Sequence, residues 1–257
     1  MFSQCHPEPR NKSGVNSAIL VAKSKDLVQI LLSLFLCAAM LVACGDDDCD
    51  SATRPLDDSA SGVCEDCFKD DRDGHNYKMV KIGDQVWMAE NLNFKTDSSF
   101  CYKNEEKYCA KYGRLYRWAE AVGKSESECG FGYKCSMPSG NIQGVCPSGW
   151  HLPSKDEWTA LLTAVGGLST AGKMLRSTFG WNRSGNGADD FGFSALSAGQ
   201  RNIGGDFYDE GNGALFWGAT EFGSDYAYRL YLYSDADDVH LGYFFKDYAF
   251  SVRCLKD

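Results

Sequence analysis

Cys146-Pro147-Ser148-Gly149-Trp150-His151-Leu152-Pro153-Ser154-Lys155-Asp156-Glu157-Trp158 is the stretch on which the fold turns. It reads, in order, as a covalent staple, a tight turn, a buried aromatic and a capped helix start. Ser154 and Glu157 have capping-box spacing: the Ser154 side chain accepts from the N–H of Glu157, and the Glu157 carboxylate reaches back to the N–H of Ser154. Pro153 sets how the chain arrives at the cap. Trp158, Leu161, Leu162 and Val165 then recur at i, i+3, i+4 and i+7, one apolar stripe of a helix. Gly166-Gly167 ends it. Trp150 and Trp158, with Trp217 further on, read as core.

The chain around this stretch has 257 residues, enough for one sizeable domain with appendages. Twelve cysteines point to an oxidising compartment. The formal net charge of −9, with no Lys/Arg cluster anywhere, argues against a nucleic-acid partner. The acidity is concentrated: Asp46 to Asp73 carries about eleven acids against three bases, so it belongs mainly to a linker and not to a binding face.

Residues 1–43 read as a signal peptide. Lys23 and Lys25 precede an apolar run, Leu27 to Ala43, that closes on small residues; as a membrane span its length is marginal. Leu41-Val42-Ala43-Cys44 resembles the lipobox of bacterial lipoproteins, which implies cleavage before Cys44 and acylation of that residue. Several acyl chains anchor stably where one is marginal. The implied location is the outer membrane, with the cell surface favoured because Gly45-Asp46-Asp47-Asp48 resembles the surface-export signal of Bacteroidetes-type lipoproteins; a periplasm-facing anchor is the alternative. Residues 44–73 are too charged and too poor in apolar residues to fold alone and read as a flexible tether. Cys49, Cys64 and Cys67 lie in it. Cys64-Glu65-Asp66-Cys67 has CxxC spacing without a βαβ context, so a local or intermolecular bridge is the simpler reading than redox chemistry.

The folded domain is expected over 74–257. Tyr77–Ile82 and Gln85–Met88 form a hairpin around Gly83-Asp84. Cys101–Tyr116 reads as loop or hairpin, Leu115, Trp118, Ala119 and Val122 as a short helix, and Gly123–Val145 as irregular. Ala171, Met174 and Leu175 suggest a brief helix after the capped one. Leu215–Glu221 is a strand, Tyr226–Tyr233 a central one with apolar and aromatic residues on both faces, and Val239–Phe245 and Tyr248–Leu255 the last two. The last three are expected to form an antiparallel meander.

Five ordered motifs carry a family resemblance: Gly74-His75-Asn76-Tyr77 through Gln85-Val86-Trp87-Met88-Ala89-Glu90-Asn91-Leu92, Gly113-Arg114-Leu115-Tyr116-Arg117-Trp118, Cys146 to Pro153, Phe216-Trp217-Gly218-Ala219-Thr220-Glu221, and Phe250-Ser251-Val252-Arg253-Cys254. Together they resemble the Fibrobacter succinogenes major paralogous domain, a family of secreted and lipid-anchored bacterial proteins. Leu152 to Trp158 is also similar, more distantly, to the Leu-Pro-Thr-x-x-Glu-Trp helix start of the formylglycine-generating enzyme group. That implies an α+β, C-type-lectin-like domain with short antiparallel sheets, two or three short helices, long loops and disulfides. The same resemblance implies a Cys146–Cys254 bridge, closing a loop of about 108 residues worth roughly 4–5 kcal/mol on the loop-entropy reading. Neighbouring positions suggest Cys101 with Cys109 and Cys129 with Cys135, although six cysteines allow fifteen connectivities. A zinc site would want compact pairs plus His, and the four His are scattered.

The residues offer little catalytic equipment. Only Cys254 stands where a formylglycine-type reactive cysteine pair would be needed, and neither Gly-x-Ser-x-Gly nor His-Glu-x-x-His occurs. Asp189, Asp190, Asp206, Glu210 and Glu221 are candidate glycosidase carboxylates, yet acids in Gly/Asn-rich turns are ordinarily turn residues. Sugar-binding C-type-lectin motifs are lacking. No cofactor is expected; Asp235, Asp237 and Asp238 could hold Ca²⁺ through hard oxygens, but read more simply as a solvated hairpin tip. The candidate ligand region is Gly199 to Asp225, where Arg201, Asp206, Tyr208 and Asp209, with Glu221, sit among glycines between strands. The expected function is therefore a non-catalytic binding or adhesion module for polysaccharide or a surface protein. The alternatives are an enzyme acting on glycans or protein side chains, and a structural envelope component.

Overall fold

The computed structural model describes residues 66–257. The expected signal peptide, Cys44 and its lipid, Cys49 and Cys64 lie outside the described residues. In chain order the elements are β1 (Cys67–Lys69), β2 (Asn76–Ile82), β3 (Gln85–Met88), β4 (Ser99–Phe100), α1 (Glu106–Tyr112), β5 (Leu115–Arg117), α2 (Trp118–Ala121), α3 (Glu126–Cys129), β6 (Trp150–His151), α4 (Lys155–Ala164), α5 (Ala171–Leu175), β7 (Gln200–Arg201), β8 (Phe207–Tyr208), β9 (Gly213–Phe222), β10 (Tyr226–Tyr233), β11 (Val239–Phe245), β12 (Ala249–Ser251) and β13 (Leu255–Lys256). One sheet has the order β1-β2-β3-β13-β6; the other runs β11-β10-β9-β12-β5-β4, with the β7–β8 pair attached at β12. The fold is α+β, with mixed sheets and short helices.

Local chemistry explains the elements that the residue pattern announces. Gly83 takes φ +59 in the β2–β3 turn, a left-handed backbone that suits glycine. Ser154 caps α4 as expected: Glu157 N donates to Ser154 Oγ at 3.2 Å and Ser154 N donates to Glu157 Oε2 at 2.7 Å. At the other end Gly167 N donates to Leu162 O at 2.7 Å, and Gly166 and Gly167 both have positive φ. Trp158, Leu161, Leu162 and Val165 are buried, as their spacing requires. α4 approaches β9 so closely at Gly218 that a Cβ there would lie 3.1 Å from Pro153 O and 3.3 Å from the Trp158 ring.

Four features differ from the sequence reading. α1 stands where a loop or hairpin was expected; it has no side-chain cap and is held by the Cys101–Cys109 disulfide and by burial of Cys109 and Tyr112. Leu115 belongs to β5, paired with Ser251, and not to the helix that follows. The last three strands form no meander. β11, β10 and β9 do, whereas β12 crosses to the far side of β9, lying parallel to it at Ser251–Phe216, and β13 joins the other sheet. The fold also begins before Asp73-Gly74, because β1 pairs with β2 and Phe68 stacks on Trp150 at 4.3 Å. Arg72 then fixes the edge of the domain: its guanidinium binds Asp70 and donates to Val145 O at 2.8 Å. Burial alone would raise the Asp70 carboxyl, but the Arg72 hydrogen bonds hold it below the usual range.

Disulfides join Cys101 to Cys109, Cys129 to Cys135 and Cys146 to Cys254, with Cα separations of 4.9, 4.5 and 6.0 Å; Cys67 is disulfide-bonded as well. The interior divides into an aromatic cluster under α4 and α5, built on Trp87, Trp158, Phe193 and Phe216, a second built on Tyr77, Tyr116, Trp118, Trp217 and Phe250 around Cys146–Cys254, and a smaller third around Tyr102, Tyr112 and Leu115. Arg253 is fully buried beside the first. It donates to Asn91 Oδ1 at 2.7 Å, to Ser194 O at 3.2 Å and to Phe193 O. Burial pushes its pKa down to about 9, which still leaves it charged at neutral pH. Asn91 and Arg253, from the first and last of the five motifs, thus meet in the core.

Candidate functional site

Strand periodicity builds an aromatic surface on the β9–β10–β11 meander. Register places Tyr228 opposite Tyr243, Tyr226 opposite Phe245 and Phe222 opposite Tyr226. Side chains two apart share a face, so Tyr226 and Tyr228 point the same way as Leu230 and Leu232. α4 and α5 cover that face where Leu230, Leu232 and Val239 are buried. They stop short of the tyrosines. Beyond them Phe222 stacks on Tyr243 at 4.0 Å, Tyr226 meets Phe245 at 4.7 Å, and Phe131 approaches Phe245 at 6.0 Å. Phe222 is 44 % exposed, Tyr243 47 % and Phe131 44 %. Rings that only completed the core would be covered; these form an open face with hydroxyls at its rim.

Lys155 marks the border of this face. Its ammonium lies 5.1 Å from the Tyr228 ring centre, and its backbone N donates to Thr220 Oγ1 at 2.9 Å. Thr220 and Ala219 line a cleft of about 210 Å³ with Ser154, Glu157, Asn141 and His151. A second cleft of about 300 Å³, lined by Asp84, Gln85 and Asp257 among others, shares Asn141, His151 and Glu157 with the first. The shared wall centres on the His151 ring. Nδ1 is 2.6 Å from Asp257 Oδ1 and Nε2 is 2.9 Å from Glu157 Oε1. Burial would lower the His151 pKa, but the bonds to Glu157 and Asp257 outweigh it and hold it above the usual histidine value. Burial likewise opposes ionisation of Glu157, and His151 and Ser154 prevail and depress its pKa. With both ring nitrogens within hydrogen-bond distance of carboxylates, the arrangement favours the imidazolium form of His151.

The residues singled out from sequence fall in different places. Arg201 and Phe207 sit on the small β7–β8 pair, with the guanidinium 4.1 Å from the Phe100 ring centre. Asp206 N donates to Asn202 Oδ1 at 2.9 Å within the same loop, Asp209 accepts from Gln200 Nε2 at 2.6 Å, and Tyr208 is 48 % exposed. Glu221 faces the interior: Oε1 accepts from Lys246 Nζ at 2.6 Å and from Cys135 N at 2.7 Å. The structure therefore brings Arg201, Asp206, Tyr208 and Asp209 near one hairpin and sets Glu221 apart from them. Asp235 and Asp237 pair with Arg183 and Arg176, at 3.1 and 3.0 Å. Among the described residues, the grouping of ligand atoms tight enough for a metal is Cys101, Glu106 and Cys109, and its two sulfurs are already joined. The aromatic face was missed because its rings come from three strands; of the region Gly199 to Asp225 it contains only Phe222. Its sequence signal was Tyr226, Tyr228, Tyr243 and Phe245 at strand spacing.

No helix among the described residues is long and apolar enough to cross a membrane. The described chain is a disulfide-bonded α+β domain with an open aromatic face. Residues 80–256 match the family described as the Fibrobacter succinogenes major domain, and the chain belongs to that family. Neither a curated protein nor a solved structure matches it.

Proposed function

We propose that the protein is a cell-envelope lipoprotein, anchored by lipid on Cys44 and displayed from the outer membrane, whose folded domain is a non-catalytic binding module for uncharged polysaccharide. The observation that carries the reading is the open aromatic face of Phe222, Tyr226, Tyr228, Tyr243 and Phe245. The C–H faces of sugar rings are apolar and stack on aromatic rings, while their hydroxyls take hydrogen bonds from tyrosine rims and polar neighbours. Among the described residues Lys155 alone sets a cation over these rings, which suits a neutral chain better than an anionic one. The clefts beyond Thr220 extend the surface toward a longer ligand. We also propose a C-type-lectin-like relationship. It is supported by the Cys146–Cys254 bridge from the approach to α4 to the chain's last strands, and by the pairing of β13 with β3 and β6.

Affinity electrophoresis of the full chain in gels containing neutral plant or cell-wall polysaccharides tests the binding reading. Retardation by at least one polymer, lost in Tyr228→Ala/Tyr243→Ala, is expected. No retardation in any polymer, or retardation that survives the double substitution, refutes it. Palmitate labelling tests the anchor: label that persists in Cys44→Ser rules it out.

A further inference from the structure

His151 links the side chains of three pieces of chain: β6, the first turn of α4, and the residue after β13, whose N–H also donates to Gly149 O at 3.1 Å. The two carboxylates that hold its ring differ in how firmly they are held themselves. Glu157 spends Oε2 on the Ser154 cap, accepting from N at 2.7 Å and from Oγ at 2.9 Å, so its Oε1 has little freedom. Asp257 is half exposed, and its side-chain contacts are the His151 ring and Asn141 Nδ2, the latter at 3.4 Å. The other charged groups facing the cleft are Asp84, from the β2–β3 turn, and Lys256; Asn141, Gln85 and Thr220 are uncharged. Asn141 Nδ2 also lies 3.2 Å from His151 Nδ1.

A neutral imidazole has one N–H and one lone pair. It can donate to one of the two carboxylates, and its lone pair must then face the other anion. The one that yields is the one not otherwise fixed. We infer that His151 is a proton-dependent latch: protonated, it fastens the Asp257 side chain to the start of α4; deprotonated, it keeps Glu157 and releases Asp257, opening the cleft of about 300 Å³ that Asp257 lines. The latch does not depend on what the aromatic face binds. The His151 pKa is raised, so the latch holds below it and opens as pH rises through it.

A titration of the histidine ring signals by NMR on the full chain reads this directly, with His151 assigned from the peak lost in His151→Gln. Its midpoint is expected above the ordinary value of 6.5. The Asp257 signals should move with the same midpoint, and by more than those of Glu157, which keeps its bond to the ring. Asp257→Asn, a conservative change at a half-exposed site, should lower the His151 midpoint by about 1 unit or more, as loss of an adjacent opposite charge does. A midpoint at or below that of free histidine overturns the latch. So does an Asp257→Asn midpoint equal to wild type, or Asp257 signals indifferent to the His151 titration. None of these readouts involves polysaccharide, so the latch and the binding reading fail separately.

Discussion

The ammonium of Lys246 lies 2.6 Å from Glu221 Oε1 with its side chain wholly inaccessible to solvent. The same nitrogen donates to Tyr133 O at 2.8 Å and sits 4.6 Å from the Trp118 ring centre. This pair, with Cys135 N on the same oxygen, ties the Cys129–Cys135 loop to β9 and the end of β11. A carboxylate at the end of a strand invites a catalytic reading; here it neutralises a buried cation. Glu221→Gln leaves that cation without its counter-charge and is expected to cost about 3–5 kcal/mol. Lys246→Met added to it should recover part of the loss. Urea midpoints of the two variants and wild type measure both effects, and a Glu221→Gln loss within error of zero would contradict the assignment.

Cys146→Ser/Cys254→Ser removes the bridge with a sequence separation of 108. The expected loss is about 2–5 kcal/mol, because the unfolded chain regains the freedom of a long loop. Removing Cys101–Cys109, with a separation of 8, releases a far shorter loop and should cost less. Denaturant titrations of the two double variants would show the order; the reverse order would mean that native-state packing around the short bridge dominates.

Arg253 has no carboxylate among its hydrogen-bond partners, so its charge rests on Asn91 and two carbonyls. Asn91→Ala should destabilise the domain by about 1.5–3 kcal/mol, the range for a hydrogen bond to a charged group. Asn91→Asp supplies the missing anion but loses the donation from Asn91 Nδ2 to Tyr112 O, now at 2.8 Å. Thermal melts of both variants test whether acceptor or donor matters more; an unchanged melting temperature in Asn91→Ala would dismiss the contact as an anchor.

Glu157→Gln should show a pH-dependent deficit. The raised His151 pKa means that its stabilisation is fully present below the unfolded value of 6.5 and fades as pH rises through the folded one. The depressed Glu157 pKa gives the opposite sign: its stabilisation is present above the unfolded value of 4.5 and fades as pH falls through the folded one. The loss on substitution is therefore greatest between those limits, about pH 5.5. Above the His151 midpoint it shrinks to the weakening of the cap, about 1 kcal/mol or less. Melting temperatures across this range would show it; a deficit constant with pH would mean the ring contributes nothing.

The Tyr228→Ala/Tyr243→Ala protein should remain folded. Removing one cross-strand aromatic pair, Tyr243 exposed and Tyr228 half-buried, costs about 0.2–1 kcal/mol, so polysaccharide retention should vanish while the melting curve moves little. A collapse of the melting curve would show that these rings support the core.

Much of the scaffold was legible because it is local. A capping box spans four residues, the Gly83 turn two, and the apolar stripe of α4 two turns of helix, so neighbouring residues determine them. The five motifs likewise announced the family, yet Asn91, Arg253 and Trp217 proved to be interior wiring, not a ligand site. Gly199 to Asp225 attracted attention for its turn-rich composition, which says where a loop is but not what faces it.

By itself, then, the sequence determined the helix start at Ser154, the β2–β3 hairpin, the strands of β9 to β11 and the class of domain. Tertiary structure alone decided that α1 is a helix, that β12 crosses beyond β9, that Glu221 points inward, and that rings from three strands make one open face. It also brought residues 151, 157 and 257 together. The physical reason is range: hydrogen bonds between near neighbours follow from residue order, whereas which strand lies beside which, and therefore which side chains are left uncovered, is settled only when the whole core closes.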